Sequence, residues 1–206
     1  MDTPEHPQIY LITPPNLELE PFCDQLSRVL DSTAIACIRL DLATRDEDDV
    51  ARAADALREV AHARDVALVI ADHVLLSERL GLDGVHLSDA GRSVREARKS
   101  LGQDAIIGSF CAGSRHDGIS AAEAGADYVG FGPVGASDLG DGETAEMDLF
   151  QWWSAMIEVP VVAEGGLDVN LISSLTPYTD FFGIGDEIWR SDNPSAALAG
   201  LIAAMG

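Results

Sequence analysis

The feature that most constrains the fold of this 206-residue chain is an alternation of short apolar runs with longer amphipathic segments. The segment from Val50 to Arg64 is typical of the longer ones, because its apolar residues recur every three or four positions and share one helical face. Strands that alternate with helices form a parallel sheet covered by helices. Eight short runs predict strands: Ile9 to Ile12, Ala34 to Leu40, Val66 to Ile70, Gly84 to Leu87, Ala105 to Gly108, Tyr128 to Phe131, Val159 to Ala163 and Phe181 to Ile184.

Eight strand-helix repeats favour closure into a barrel over an open, doubly wound sheet. We therefore predict an α/β protein, a single compact (β/α)8 TIM barrel whose one domain covers residues 1–206. Such barrels typically take about 250 residues, so the loops here are expected to be short. One predicted loop is long. Residues 135–148 follow the sixth strand with three glycines and five acidic residues, and predict either a lid over a ligand or a solvated surface loop.

The charge of the chain limits its partners. The sequence has 13 Lys and Arg residues against 35 Asp and Glu residues, and its formal net charge is −22. Such a chain repels phosphate backbones and anionic membrane surfaces, so we expect a small-molecule ligand and neither nucleic acid nor membrane as partner. Formation of a homo-oligomer is left open. No apolar run reaches the roughly 18 residues of a membrane span, and we expect a cytoplasmic protein.

Active sites of (β/α)8 barrels collect at the carboxyl ends of the strands, and carboxylates dominate those positions here. Converging carboxylates repel one another unless a divalent cation neutralises them, which predicts a Mg2+-type site at this end of the barrel. Glycines follow the seventh strand and end the eighth. Gly165, Gly166 and Gly185 are therefore expected either to bind phosphate through backbone N–H groups or to form tight turns.

Six segments of the chain resemble segments of the thiamine phosphate synthases and the related thiazole tautomerases. The chain looks like a divergent member of this superfamily. The run from Ala124 to Val134 is the most specific of these similarities. The segments are Ile9 to Thr13, Val69 to His73, Leu82 to Leu87, Ile106 to Gly108, Ala121 to Val134 and Pro160 to Gly166. The resemblance implies a (β/α)8 fold and a transferase of thiamine biosynthesis. These enzymes join a pyrimidine diphosphate to a thiazole phosphate with the help of Mg2+.

The resemblance also implies roles for individual residues. Arg39, Asp72 and Ser137 take catalytic positions. Asp72 is also a metal ligand, and Asp89 stands in for the family's second metal-binding aspartate, whose own position is Gly91 here. The remaining predicted residues bind substrate: His86 lines the pyrimidine pocket, Ser109 follows the fifth strand, Gly165, Gly166 and Gly185 contact phosphate, and Asp186 replaces a phosphate-binding serine. His86 has a second interpretation as a hydrogen-bonded structural group at the end of its strand.

Several basic positions of the family differ here. The family has a Gln-x-Arg-x-Lys pattern after the second strand; one register keeps Arg39 with Asp41 in place of the lysine, and the other keeps neither basic residue. The lid retains Ser137 but no lysine, and Pro133 replaces the tautomerase histidine. Since a diphosphate leaving group accumulates negative charge, these losses predict much slower turnover. Two alternatives therefore stay open: a relative that binds a thiamine-related or other cationic heteroaromatic molecule, and a catalytically silent partner subunit.

Overall fold

The computed structural model describes residues 6–139 and 143–206, and its strands and helices alternate along the chain. The strands are β1 (Gln8–Ile12), β2 (Cys37–Leu40), β3 (Ala67–Ala71), β4 (Gly84–Leu87), β5 (Ile106–Phe110), β6 (Tyr128–Phe131), β7 (Val161–Glu164) and β8 (Phe181–Ile184). The helices are α1 (Leu19–Ser32), α2 (Glu47–His62), α3 (Val74–Leu80), α4 (Val94–Leu101), α5 (Arg115–Ala124), α6 (Met147–Met156), α7 (Val169–Leu175), α8 (Asp186–Trp189) and α9 (Pro194–Ile202).

The sheet closes on itself. Each strand pairs in parallel with the next, and β8 pairs with β1 to complete the barrel. Tyr10 illustrates the closure, because it is in register with Cys37 of β2 on one side and with Gly183 of β8 on the other. The predicted (β/α)8 barrel is thus confirmed. That its domain extends over all 206 residues stays a prediction.

Strand ends differ from the predicted ones by up to three residues. β2 begins at Cys37 and not at Ala34, whereas β5 continues to Phe110 and β7 to Glu164. The predicted ends follow from the apolar runs of the sequence. The observed ends are set by hydrogen bonding to the neighbouring strand, which hydrophobicity does not indicate. Phe110, for example, is held in register with Gly130 of β6. The extension of β7 places a charged residue on a barrel strand.

Local sequence signals fix the helix starts. The Asp46 carboxylate accepts hydrogen bonds from the backbone N–H groups of Asp48 and Asp49 and so caps α2, and Asp168 caps α7 in the same way. The helices bury one face against the outside of the barrel, where Trp153 of α6 packs against Phe131 of β6. Within the two described ranges, no helix is both long enough and apolar enough to cross a membrane.

The barrel interior has an apolar end and a polar end. Towards the amino ends of the strands, Cys37, Val69 and Val162 form a small core that is separate from the main core between sheet and helices. Towards the carboxyl ends, the interior holds Arg39, His86 and Glu164, all of them buried. Barrel interiors are usually filled by branched apolar residues, so this polar layer marks the end that faces the active site in this fold.

Candidate active site

An arginine-carboxylate pair lies at the centre of the polar layer. Arg39 donates two hydrogen bonds to Glu164, from Nη1 to Oε1 at 3.2 Å and from Nη2 to Oε2 at 2.7 Å. The Nε of Arg39 lies 3.2 Å from the carboxylate of Asp41, which is half-exposed at the end of β2. The backbone N–H of Asp41 donates to the Thr13 hydroxyl and so ties the ends of β1 and β2 together. One buried cation therefore faces two carboxylates.

A chain of hydrogen bonds continues from Arg39 across the barrel. Arg39 Nη1 lies 2.8 Å from His86 Nε2, His86 Nδ1 lies 2.9 Å from the Tyr128 hydroxyl, and that hydroxyl lies 2.6 Å from the hydroxyl of Tyr10. A guanidinium can only donate, so Nε2 of His86 accepts and Nδ1 carries the proton. Nδ1–H then donates to the hydroxyl of Tyr128, which is hydrogen-bonded to the hydroxyl of Tyr10. The four side chains thus form one continuous hydrogen-bonded chain.

The charge states follow from burial. Burial lowers the pKa of His86 well below its usual range and the neighbouring Arg39 lowers it further, so the imidazole is neutral. Burial raises the pKa of Tyr10 and of Tyr128, and both hydroxyls stay protonated. Burial is the largest single influence on Arg39 and opposes its charge, but Glu164, Tyr10 and Asp41 together outweigh it, and the pKa of Arg39 lies well above its usual value. The polar layer is therefore held together by a fixed positive charge on Arg39.

Two glycine positions make room for this layer. A Cβ atom at Gly108 of β5 would overlap the ring of Tyr128, and a Cβ atom at Gly183 of β8 would lie 2.8 Å from the Cβ of Glu164. A glycine on the neighbouring strand thus lets the ring of Tyr128 and the side chain of Glu164 lie inside the barrel. The spacing of glycines in β5 and β8 is part of the site's construction.

A pocket of about 720 Å3 opens above the Arg39–Glu164 pair. Its walls come from the carboxyl ends of β1, β2, β7 and β8 and from the loop after β6. The lining residues include Thr13, Arg39, Asp41, Ser137, Asp138, Glu164, Gly165, Gly166, Gly185, Asp186, Glu187 and Arg190. The volume falls in the range of small-molecule sites.

The lining is acidic. Among the described lining residues there are five carboxylate side chains and two arginines. Arg39 is paired with Glu164 and Asp41, and Arg190 donates to the Asp186 carboxylate at 2.6 Å. Both positive charges are thus already matched by carboxylates. The pocket complements a cationic group better than an anionic one.

The loops after β7 and β8 are joined by a carboxylate. Gly165 and Gly166 have φ of +83° and +72°, and a Cβ atom at Gly166 would lie 2.5 Å from the backbone carbon of Gly135, so the loop after β6 packs directly against them. Glu187 of α8 accepts hydrogen bonds from the backbone N–H of Leu167 at 3.2 Å and from that of Gly185 at 2.8 Å. Its carboxylate bridges the two loops.

The structure brings together six of the ten residues predicted for the site. Those that line the pocket are Arg39, Ser137, Gly165, Gly166, Gly185 and Asp186. His86 is buried inside the barrel and Ser109 is buried on β5, and neither is among the lining residues; their contact with substrate stays a prediction. The beginning of the predicted lid lines the pocket, whereas residues 140–142 of that loop lie outside the described part of the chain.

The two predicted metal ligands follow β3 and β4 and are also absent from the pocket lining. Both oxygens of Asp72 accept hydrogen bonds from Ser88, one from its backbone N–H and one from its hydroxyl. Asp89 accepts a bond from Ser93 through Oδ2, while its Oδ1 is buried without a hydrogen-bond partner. In the part of the chain that the structure describes, no group of three or more His, Cys, Asp or Glu side chains is placed to hold a metal ion.

The sequence gives no site role to Tyr10 or Tyr128. It places Glu164 and Glu187 among the carboxylates that follow the strands, where Glu187 counts against phosphate binding, but it assigns neither of them a partner. A signal for Glu164 was present, since a carboxylate directly precedes Gly165 and Gly166 at the end of a barrel strand. The two tyrosines occupy apolar runs, where an aromatic residue indicates only packing. The role of Glu187 depends on backbone N–H groups of other loops, and no sequence pattern reports those.

A closed parallel barrel with a pocket at its carboxyl end defines the protein as a (β/α)8 barrel of the small-molecule-binding type. The family profile described as "Thiamine monophosphate synthase" matches residues 9–178. The chain belongs to this family.

Relatives named thiamine-phosphate synthase match almost the whole chain. That of Rhodospirillum centenum is 39% identical over 197 residues, which are 93% of this chain and 94% of that relative. That of Erythrobacter litoralis is 37% identical over 198 residues, 93% of this chain and 92% of the relative. Among solved structures, thiamine phosphate pyrophosphorylase from Pyrococcus furiosus has a TM-score of 0.83 at 20% identity and covers 96% of this chain and 95% of its own. The last comparison supports the fold.

Proposed function

We propose that the protein is a transferase of thiamine biosynthesis that joins a pyrimidine diphosphate to a thiazole phosphate and releases pyrophosphate. The observation that carries the proposal is the similarity to thiamine-phosphate synthases over more than nine-tenths of the chain. The pocket at the carboxyl ends of the strands is the place where this fold performs chemistry. We place the reaction in the cytoplasm, in keeping with biosynthetic relatives and an acidic chain.

The acidic pocket suits one half of this reaction. The thiazole nitrogen forms a bond to the methylene carbon of the pyrimidine. The bond from that carbon to the diphosphate oxygen breaks, and the diphosphate leaves with the electron pair. The nitrogen becomes positively charged as the bond forms. The carboxylates of Asp41 and Glu164 line the pocket and stabilise that charge, with Arg39 holding both in place.

The departing diphosphate needs positive charge, and Mg2+ supplies it when bound. The described residues fit such an ion in part. The buried Oδ1 of Asp89 has no partner and is a suitable ligand, and each oxygen of Asp72 accepts one bond from Ser88 and keeps a second lone pair for an ion. Mg2+ is typically bound by one or two carboxylates together with waters and substrate phosphates, so two carboxylates are enough. Asp72 and Asp89 are thus the residues that we propose to hold it.

The direct test is a pyrophosphate-release assay with both substrates and Mg2+, coupled to mass spectrometry of thiamine phosphate. We expect both products in equal amounts and a loss of activity in the Asp89→Asn variant. The Arg95→Gln variant, which removes a charge from α4 outside the pocket, is the control and should match the wild type. A folded wild-type protein that releases no pyrophosphate above background would refute the proposal.

The charge of the pocket favours a second candidate, a relative that binds a cationic heteroaromatic molecule such as thiamine without catalysing its synthesis. Five carboxylates and two paired arginines form its described lining. Titration calorimetry separates the candidates. The second one requires thiamine to bind more tightly than thiamine phosphate, and the reverse order excludes it.

A further inference from the structure

The position of Glu187 is the least expected feature of the site. In (β/α)8 barrels, phosphate groups are frequently bound by backbone N–H groups of the loops after the seventh and eighth strands. In this protein the N–H of Leu167, after β7, and the N–H of Gly185, after β8, both donate to the carboxylate of Glu187. The protein thus places an anion of its own on donors of the kind that phosphate uses.

A carboxylate and a phosphate cannot share these donors. Each N–H group has one proton to give, and two anions in contact repel each other strongly at a half-buried position. We propose that Glu187 is an internal competitor of phosphate. A phosphorylated ligand binds at this end of the pocket only when the Glu187 side chain has left Leu167 and Gly185.

The surroundings of Glu187 permit movement of the side chain but not of its helix. Ile188 is fully buried, and the indole N–H of Trp189 donates to the backbone oxygen of Ile12 at 2.6 Å. Trp189 also packs edge to face against Phe22. Glu187 itself is half-buried and lines the pocket. Rotation about its side-chain bonds therefore frees the two N–H groups while α8 stays anchored.

Neighbouring carboxylates do not have this role. Asp186 precedes Glu187 on the same helical turn, but its carboxylate pairs with Arg190. Asp138 lines the pocket from the loop after β6. Asp138 therefore offers a control in which one negative charge is removed from the same pocket while the two N–H groups remain covered.

The test is calorimetric titration of the full-length protein with inorganic phosphate. We expect the Glu187→Ser variant to bind phosphate about tenfold or more tightly than the wild type, as the release of charge-assisted donors predicts. The Asp138→Asn variant should gain less than about threefold in phosphate affinity, because it changes only the electrostatic potential in the pocket and frees no N–H group. Equal gains in phosphate affinity in the two variants would refute the competition, because removal of any negative charge from the pocket would then explain both.

A purely structural role of Glu187 makes a different prediction. In that case Glu187→Ser lowers the melting temperature and phosphate affinity does not rise, which would also refute the proposal. Should Glu187→Ser fail to fold, Glu187→Gln retains the size of the side chain but not its charge. We expect an intermediate gain from it, and no gain would count against the competition.

This inference rests on the proposed function where the phosphorylated ligand is the thiazole phosphate, and the two can fail separately. Phosphate binding is measured without turnover, so a gain in Glu187→Ser supports the competition even if no pyrophosphate is released. Where turnover is present, the same variant should lower the KM for thiazole phosphate and leave the KM for the pyrimidine diphosphate within about twofold.

Discussion

The guanidinium of Arg39 and the carboxylate of Glu164 meet inside the barrel through two hydrogen bonds, at 2.7 Å and 3.2 Å. Both side chains are almost completely buried, and 125 residues of chain separate them. A buried pair of this kind gains little over an apolar pair of the same size, but the loss of one partner leaves a bare charge in the interior. The pair therefore makes the floor of the pocket sensitive to single substitutions.

Replacement of one partner should be costly. The Glu164→Gln variant leaves the buried charge of Arg39 with only the half-exposed carboxylate of Asp41, and we expect the free energy of unfolding to fall by about 3–5 kcal/mol. The Arg190→Gln variant removes an exposed partner of Asp186 and should change it by less than about 1 kcal/mol. Urea denaturation followed by circular dichroism measures both, and similar losses would contradict the importance of the buried pair.

The two tyrosines should differ in their contributions. Tyr128→Phe leaves the Nδ1–H of His86 without an acceptor and should lower the free energy of unfolding by about 1–3 kcal/mol. Tyr10→Phe removes the far end of the hydrogen-bond chain and should cost about 0.5–1.5 kcal/mol. Urea denaturation of the two variants gives the comparison. A larger loss for Tyr10→Phe than for Tyr128→Phe would contradict the importance of the bond from His86 to Tyr128.

Acid should weaken the fold through His86. Its pKa in the folded protein is well below the unfolded value of about 6.5, because burial and Arg39 oppose a second positive charge. Below pH 6.5 the unfolded chain therefore binds a proton that the folded protein refuses, and stability falls as the pH falls. This residue contributes up to about 1.4 kcal/mol per pH unit.

The pH dependence is measured as the difference between the wild type and the His86→Gln variant in urea titrations between pH 7 and pH 5. The wild type should lose more stability over this range than the variant. Parallel curves for the two proteins would mean that His86 binds its proton equally in the folded and the unfolded states, which would contradict the lowered pKa.

Two glycines provide a test of packing. Gly108→Ala places a methyl group on the ring of Tyr128 and should destabilise the protein by about 1–3 kcal/mol. Gly200→Ala lies in α9, where an added Cβ meets no atom within 4 Å, and should stabilise it by about 0.5–1 kcal/mol. Thermal unfolding should show a lower melting temperature for Gly108→Ala and a higher one for Gly200→Ala. A lower melting temperature for Gly200→Ala would contradict the prediction.

The sequence was sufficient for the architecture and for part of the pocket. The order of apolar and polar residues along the chain displays the strand-helix alternation. Residues directly after strands reach the mouth because of the barrel topology, as Gly165, Gly166 and Gly185 do. The charge pairing was not predictable in this way. Arg39 and Glu164 become partners only because closure of the barrel brings β2 and β7 to face each other.

Glu187 shows the same limit at a finer scale. Its acidic side chain two residues after Gly185 argues against phosphate binding there, but the sequence does not show that its oxygens accept from Leu167, which lies 20 residues away. Hydrogen bonds from backbone to side chain depend on loop conformation, and loop conformation follows from packing against neighbours such as Gly135 and Gly166. Residue types alone do not contain that information.

The acidic lining of the pocket has a kinetic consequence. With five carboxylates in the described pocket lining and a net charge of −22 on the chain, an approaching phosphorylated substrate meets a repulsive field before it touches the protein. Ions shorten the reach of that field, from about 30 Å at 0.01 M ionic strength to about 8 Å at 0.15 M. Association of anionic substrates should therefore become faster as salt is added, and encounter with a cation such as thiamine should become slower.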